Sequence, residues 1–238
     1  MKLLRELGRA VATLAVAILA ANSSAIGATF FDSVGENFDG NAHMDISSVD
    51  VTDDGSNITF KVNVSAASIT SPADWGKYVI GIDKGSGTGD FGAPVGNPWG
   101  RNIAMADGTD GWIGSWVDGG GGFQPWSYAG GSWTQNGSGS VALAGNSTTI
   151  TTSLASLGLS PGQTFKFDVY TSGGGGGDSA NDALANPAPS TGGWAGPYTT
   201  PASGSGAALS YTTVPEPASA ALAGLALVGG IALIRRRK

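Results

Sequence analysis

Three indoles, Trp112, Trp116 and Trp126, crowd into one glycine-rich stretch of the chain, with Tyr128 and Trp133 close behind. Strand alternation in GWIGSWVD (111–118) puts Ile113 and Val117 on one face and Trp112 and Trp116 on the other. Sugar rings present apolar C–H faces that stack on indoles, while neighbouring polar side chains meet their hydroxyls. Trp112, Trp116 and Trp126 are therefore candidates for a carbohydrate-binding platform. Rings of this size more often fill a core or cover a sheet edge, and that alternative stays open at this point.

A second concentration of chemistry follows five consecutive glycines in DVYTSGGGGGDSANDALANP (168–187). Asp178, Asn181 and Asp182 offer oxygen donors of the kind calcium takes, although their spacing is not that of an EF-hand loop. A wide glycine turn is the other reading. Asp107-Gly108-Thr109-Asp110-Gly111 reads as a turn.

Catalytic constellations are scarce. His43 is the one histidine and there is no cysteine, which removes thiol catalysis and cysteine-ligated zinc. A Ser-His-Asp triad would have to use His43, and no Gly-x-Ser-x-Gly elbow accompanies it. Between the chain's two end segments Glu36 is the only glutamate, and no paired carboxylate motif stands out for glycoside hydrolysis. The expectation is a protein that is not an enzyme.

The elements that must carry these groups are strands. Ile58, Phe60, Val62 and Val64 alternate with polar residues, and Asp53-Asp54-Gly55 before them is a hairpin turn. Ile46, Val49 and Val51 form the preceding strand, with a bulge expected at Ser47-Ser48. Further strands are expected at 78–82, 103–105, 111–118, 147–154, 164–170 and roughly 207–214. ASLGLSPG holds at most one helical turn before Pro161-Gly162. Nine or ten short strands with turn signals between them predict an all-β fold: a single antiparallel β-sandwich, jelly-roll-like.

Composition agrees with a folded exterior protein. All seven tryptophans lie within residues 29–214, which argues against a flexible glycine-rich linker despite 40 glycines in the chain. Fifteen aspartates and Glu36 in that segment face only Lys61, Lys77, Lys84, Arg101 and Lys166, a net charge of −11 against −6 for the whole chain. Such a surface repels nucleic acid, so no nucleic-acid partner is expected.

Both ends carry addresses. Lys2, Arg5 and Arg9 precede an apolar run from Ala10 to Ala21 and a small-residue exit, the layout of a signal peptide. Cleavage is expected after Ala28 (Ile-Gly-Ala) in preference to Ala25 (Ser-Ser-Ala). This gives a signal peptide at 1–28, an ectodomain at 29–214 and a tail at 215–238. The tail holds Pro215, Glu216 and Pro217, an uncharged run from Ala218 to Ile234, and then Arg235, Arg236, Arg237 and Lys238. A helix of that run reaches roughly 25 Å, enough for a transmembrane sorting helix, with its cations held on the cytoplasmic side.

The order of these three parts resembles the PEP-CTERM sorting signal of Gram-negative bacteria that make exopolysaccharide. That resemblance implies recognition by an exosortase, processing near Pro215-Glu216-Pro217, transient anchoring in the inner membrane, and delivery to the cell surface or extracellular matrix. A second resemblance rests on Asp45-Ile46, DDGSNITFKVNV, WGKYVIGID and TTSLASLGLSPGQTFKFDVYTS. These segments are similar to sandwiches of the DOMON and family-nine carbohydrate-binding-module group, which implies noncatalytic sugar binding, often with structural calcium. The functional expectation is a noncatalytic envelope or exopolysaccharide-matrix protein that binds polysaccharide. The rival is a purely structural matrix component, and a glycan-active enzyme stands third.

Overall fold

The computed structural model describes residues 26–69, 75–85, 96–188, 191 and 193–215. The expected leader up to Ala25 and the tail from Glu216, with its apolar run, lie outside them. No helix among the described residues is long and apolar enough to cross a membrane. Ala25–Val214 forms one compact unit.

Fourteen strands run along the described residues: β1 (Ile26–Phe31), β2 (Ile46–Asp53), β3 (Asn57–Val64), β4 (Lys77–Asp83), β5 (Ile103–Met105), β6 (Gly111–Trp116), β7 (Gly122–Ala129), β8 (Ser132–Gln135), β9 (Ala142–Ala144), β10 (Ser147–Ser153), β11 (Thr164–Ser172), β12 (Ala180–Ala183), β13 (Tyr198–Thr200) and β14 (Leu209–Thr212). Three single 3-10 turns interrupt them, one at Ala155–Leu157 where the sequence allows one helical turn. The first sheet has the order β1-β2-β3-β10-β9. The second runs β12-β11-β4-β6-β7-β8, with β14 also on β11. Every pairing in these two sheets is antiparallel, and they pack face to face as a β-sandwich.

Period-2 patterning explains the core. From the first sheet, Val49, Val51, Ile58, Phe60, Val62, Val64 and Ile150 point inward. They meet Tyr78, Ile80, Ile82, Ile113, Phe165, Phe167 and Val169 from the second. The hairpin turns as expected: Gly55 takes φ +81°, and Asp54 Oδ1 accepts from the Ser56 and Asn57 amides. The bulge also lies where expected, as the register between β2 and β3 shifts between Ile46 and Ser48.

The odd residues of β4 and the even residues of β6 face away from this core. A two-stranded parallel ribbon, β5 with β13, covers part of that outer face, where Ile103 and Tyr198 pack on Val79, Trp112 and Tyr170. Gly81 lets the ribbon approach, because a Cβ there would lie 2.9 Å from Met105 Sδ. This half-covered outer face carries most of the tryptophans.

The chain holds more strands than the sequence suggests. β1 begins at Ile26, so cleavage after Ala28 would cut a strand whose residues pair from Ile26↔Asp53 to Phe31↔Ser48. Cleavage after Ala25 leaves β1 whole. β12 (Ala-Asn-Asp-Ala) shows no hydrophobic alternation, yet all four residues are buried.

Candidate functional site

The outer face of β6, β7 and β8 is set by their register. Trp112 pairs with Trp126, Gly114 with Gln124 and Trp116 with Gly122. Trp126 in turn faces Gln135, and Tyr128 faces Trp133. Residues two apart on a strand share a face, so Trp116, Gln124, Trp126, Tyr128, Trp133 and Gln135 present their side chains together on the side away from the sandwich core.

Two glycines form the floor of this face. A Cβ on Gly114 would lie 2.0 Å from Trp99 Cζ2, and one on Gly122 would lie 2.5 Å from Trp116 Cζ2. The Trp99 and Trp116 indoles therefore rest on bare backbone, 6.3 Å apart between ring centroids and tilted by 38°. Trp99 Nε1 donates to Gln124 Oε1 at 3.1 Å, which fixes that ring in place. Arg101 sits over its face at 5.4 Å. Tyr128 and Trp133 meet edge to face at 5.4 Å.

The three predicted platform residues separate here. Trp112 is 1% exposed beneath the β5–β13 ribbon, so it belongs to the core and not to a platform. Trp116 and Trp126 are half-buried on the outer face. Trp99 joins them from a loop, and only its seat on Gly114 reveals this. Sequence reading also missed an aromatic group on another part of the surface. There Trp194 meets Phe38 at 4.7 Å and Trp75 at 5.6 Å, with Phe38 and Trp75 exposed. These rings come from distant parts of the chain, and no sequence window holds them together.

The predicted calcium ligands likewise part company. Asp178 turns back on its own loop, where Oδ2 accepts from the Gly175 amide at 2.7 Å. Asn181 is a structural tie: its Oδ1 accepts from the Asp39 amide and its Nδ2 donates to the Met44 carbonyl. Asp182 alone joins a carboxylate group, with Asp32 and Glu36. One oxygen from each lies within 4.8 Å of the others. Asp182 is fully buried and accepts from the Ile46 amide at 2.6 Å and the Ala183 amide at 2.7 Å. Burial, reinforced by Asp182, raises Asp32 to about 9. Burial raises Asp182 to about 7, its two backbone hydrogen bonds opposing, and raises Glu36 as well.

Another buried carboxylate lies beneath the ribbon. Asp168 is fully enclosed; Oδ1 accepts from the Val169 and Ala185 amides, and Oδ2 from Thr200 Oγ1 at 2.7 Å. Burial raises it to about 7 against those bonds. Its partners are structural, since Thr200 also pairs with the Tyr170 hydroxyl at 2.6 Å.

At the other end of β14 the chain passes into the sorting segment. Val214 N donates to Asp53 Oδ1 at 2.8 Å, one residue before Pro215. Residues 213–238 match the family model of the PEP-CTERM protein-sorting motif. The chain is thus an exported protein whose tail is a surface-sorting signal read by an exosortase, with Pro215, Glu216 and Pro217 inside the matched residues. A search of curated proteins found no match to the chain.

Proposed function

We propose that the ectodomain is a noncatalytic polysaccharide-binding module, delivered to the cell surface or extracellular matrix after transient anchoring in the inner membrane by the tail helix. The observation that carries this reading is the pair of indoles, Trp99 and Trp116, lying on the glycine floor of Gly114 and Gly122 beside Trp126. Flat, half-exposed rings on a rigid sheet give pyranose faces an apolar surface at little ordering cost. Gln124 and Gln135 on the same face can exchange hydrogen bonds with hydroxyls. The net charge of −11 across residues 29–214 disfavours a polyanion, so the ligand is a neutral polysaccharide.

Affinity electrophoresis through gels containing neutral polysaccharides tests this. The parent protein is expected to be retarded by at least one such polymer, and Trp116→Ala and Trp126→Ala to run faster in it. If both variants stay folded and are retarded as strongly as the parent, the platform is refuted. Reducing-end release from the retarding polymer, abolished by one Asp substitution, would instead make the protein an enzyme.

A further inference from the structure

Beyond the aromatic face, and independent of it, the segment after β1 builds a second site. Asp32 N donates to the Ser47 carbonyl at 3.1 Å and Asp39 N to Asn181 Oδ1 at 3.2 Å, which ties this segment to β2 and β12. Asp45 shapes the turn between them. Both its oxygens accept from the Gly35 amide at 3.0 Å, and Oδ2 also accepts from Ser65 Oγ at 2.6 Å. Glu36 follows Gly35 directly and is thereby brought to Asp32 and Asp182.

Two observations mark this trio as a ligand set. The first is convergence: three carboxylates, from positions 32, 36 and 182, bring oxygens within 4.8 Å of one another. The second is that Asp32 Oδ2 and both oxygens of Glu36 are closed to solvent yet have no hydrogen-bond partner. A buried carboxylate oxygen without a donor is costly, and gathering three like charges adds to that cost. Among the described residues no lysine or arginine pairs with the trio; the ion pairs are Lys61–Asp50, Lys77–Asp118 and Lys166–Asp107.

We propose that Asp32, Glu36 and Asp182 bind one calcium ion. The donors are all hard oxygens, with no sulfur or imidazole in the set, which selects calcium, magnesium or manganese over the softer transition metals. Calcium accepts carboxylates in irregular geometry and sheds its water readily, whereas magnesium keeps several waters and demands a near-octahedral shell. The orphaned oxygens are sealed from solvent, which suits the more easily dehydrated ion. Bound there, it joins the segment after β1 to β12 across the sandwich edge, a cross-link in a chain that has no cysteine to supply a disulfide.

The test uses the full-length protein in detergent, stripped with chelator, with calcium chloride alone as the probe. Equilibrium dialysis with radioactive calcium is expected to find one site, with Kd on the order of 10⁻⁴ M or tighter. Calcium at 1 mM is expected to raise the unfolding temperature by several degrees. Glu36→Gln, a change at a half-buried residue, is expected to weaken binding tenfold or more, and Asp182→Asn to abolish it. Asp107→Asn, in the exposed pair with Lys166, is expected to bind as the parent does. No bound calcium at 1 mM overturns the proposal, as does a Glu36→Gln variant binding at parental affinity. Magnesium binding as tightly as calcium overturns the choice of ion. If Asp182→Asn fails to fold, Glu36→Gln decides.

Discussion

Asp53 closes the domain at the point where the chain leaves for the sorting motif, and its removal has a calculable cost. The side chain is 3% exposed. Oδ1 accepts from the Gly55 amide at 2.9 Å and the Val214 amide at 2.8 Å, and Oδ2 accepts from the Tyr211 hydroxyl at 2.8 Å. Hydrogen bonds to a charged group each contribute about 1.5–3 kcal/mol, and they are not fully additive around one carboxylate. Asp53→Ala is therefore expected to cost about 3–5 kcal/mol, or an unfolding temperature lower by about 6–20 °C for a domain of this size. Asp53→Asn keeps one carbonyl acceptor and the volume, so about 1–2 kcal/mol is expected. Urea unfolding followed by tryptophan fluorescence measures both, with the slope checked for constancy. An Asp53→Ala variant within 1 kcal/mol of the parent would refute the claim that this carboxylate fastens β14.

Three further outcomes are expected. Gly114→Ala must expel the Trp99 ring, since its Cβ would sit 2.0 Å from Cζ2; a loss of about 1–3 kcal/mol and weaker polysaccharide retention should follow, and an unaltered tryptophan spectrum with full retention would contradict the seat. Asp168 titrates at about 7 in the folded protein against an ordinary 3.8. It therefore holds its proton in the native state over that interval, and its contribution is full below about pH 4 and is lost as pH rises to about 7. Asp168→Asn, tested by thermal unfolding from pH 5 to 8, should show a flatter decline than the parent, and parallel curves would refute the argument. N-terminal sequencing of the exported protein should begin at Ile26, the first residue of β1, whereas a start at Thr29 would show that half the strand is dispensable.

Legibility followed the physics of each element. Ile58 to Val64 and Phe165 to Val169 alternate because one face of each strand meets the opposing sheet, so their pattern survives in one dimension. Asp54-Gly55 is a local turn and is equally readable. β1 was obscured because Ile26 to Phe31 follows directly on a leader-like run. β7 was obscured by Pro125 and its glycines. β12 gives no apolar signal because its buried side chains, Asn181 and Asp182, bond to the polar segment 39–46. The same logic governs the sites. Trp116 and Trp126 share the outer face because their register is local, while the burial of Trp112 depends on a ribbon formed by residues 103–105 and 198–200. Asp182 was singled out from its own segment, but its companions Asp32 and Glu36 lie about 150 residues earlier and only folding brings them together. The sorting tail was the most readable feature, since a linear signal read by an enzyme must be written in linear order.

The central claim is that this chain is exported and processed at its tail for delivery to the surface. Intact-mass analysis of the protein recovered from the cell surface tests it most directly. The account predicts a mature C-terminus near Pro215-Glu216-Pro217, lacking the apolar run and Arg235 to Lys238. A surface-recovered protein still ending in Arg-Arg-Arg-Lys would contradict it.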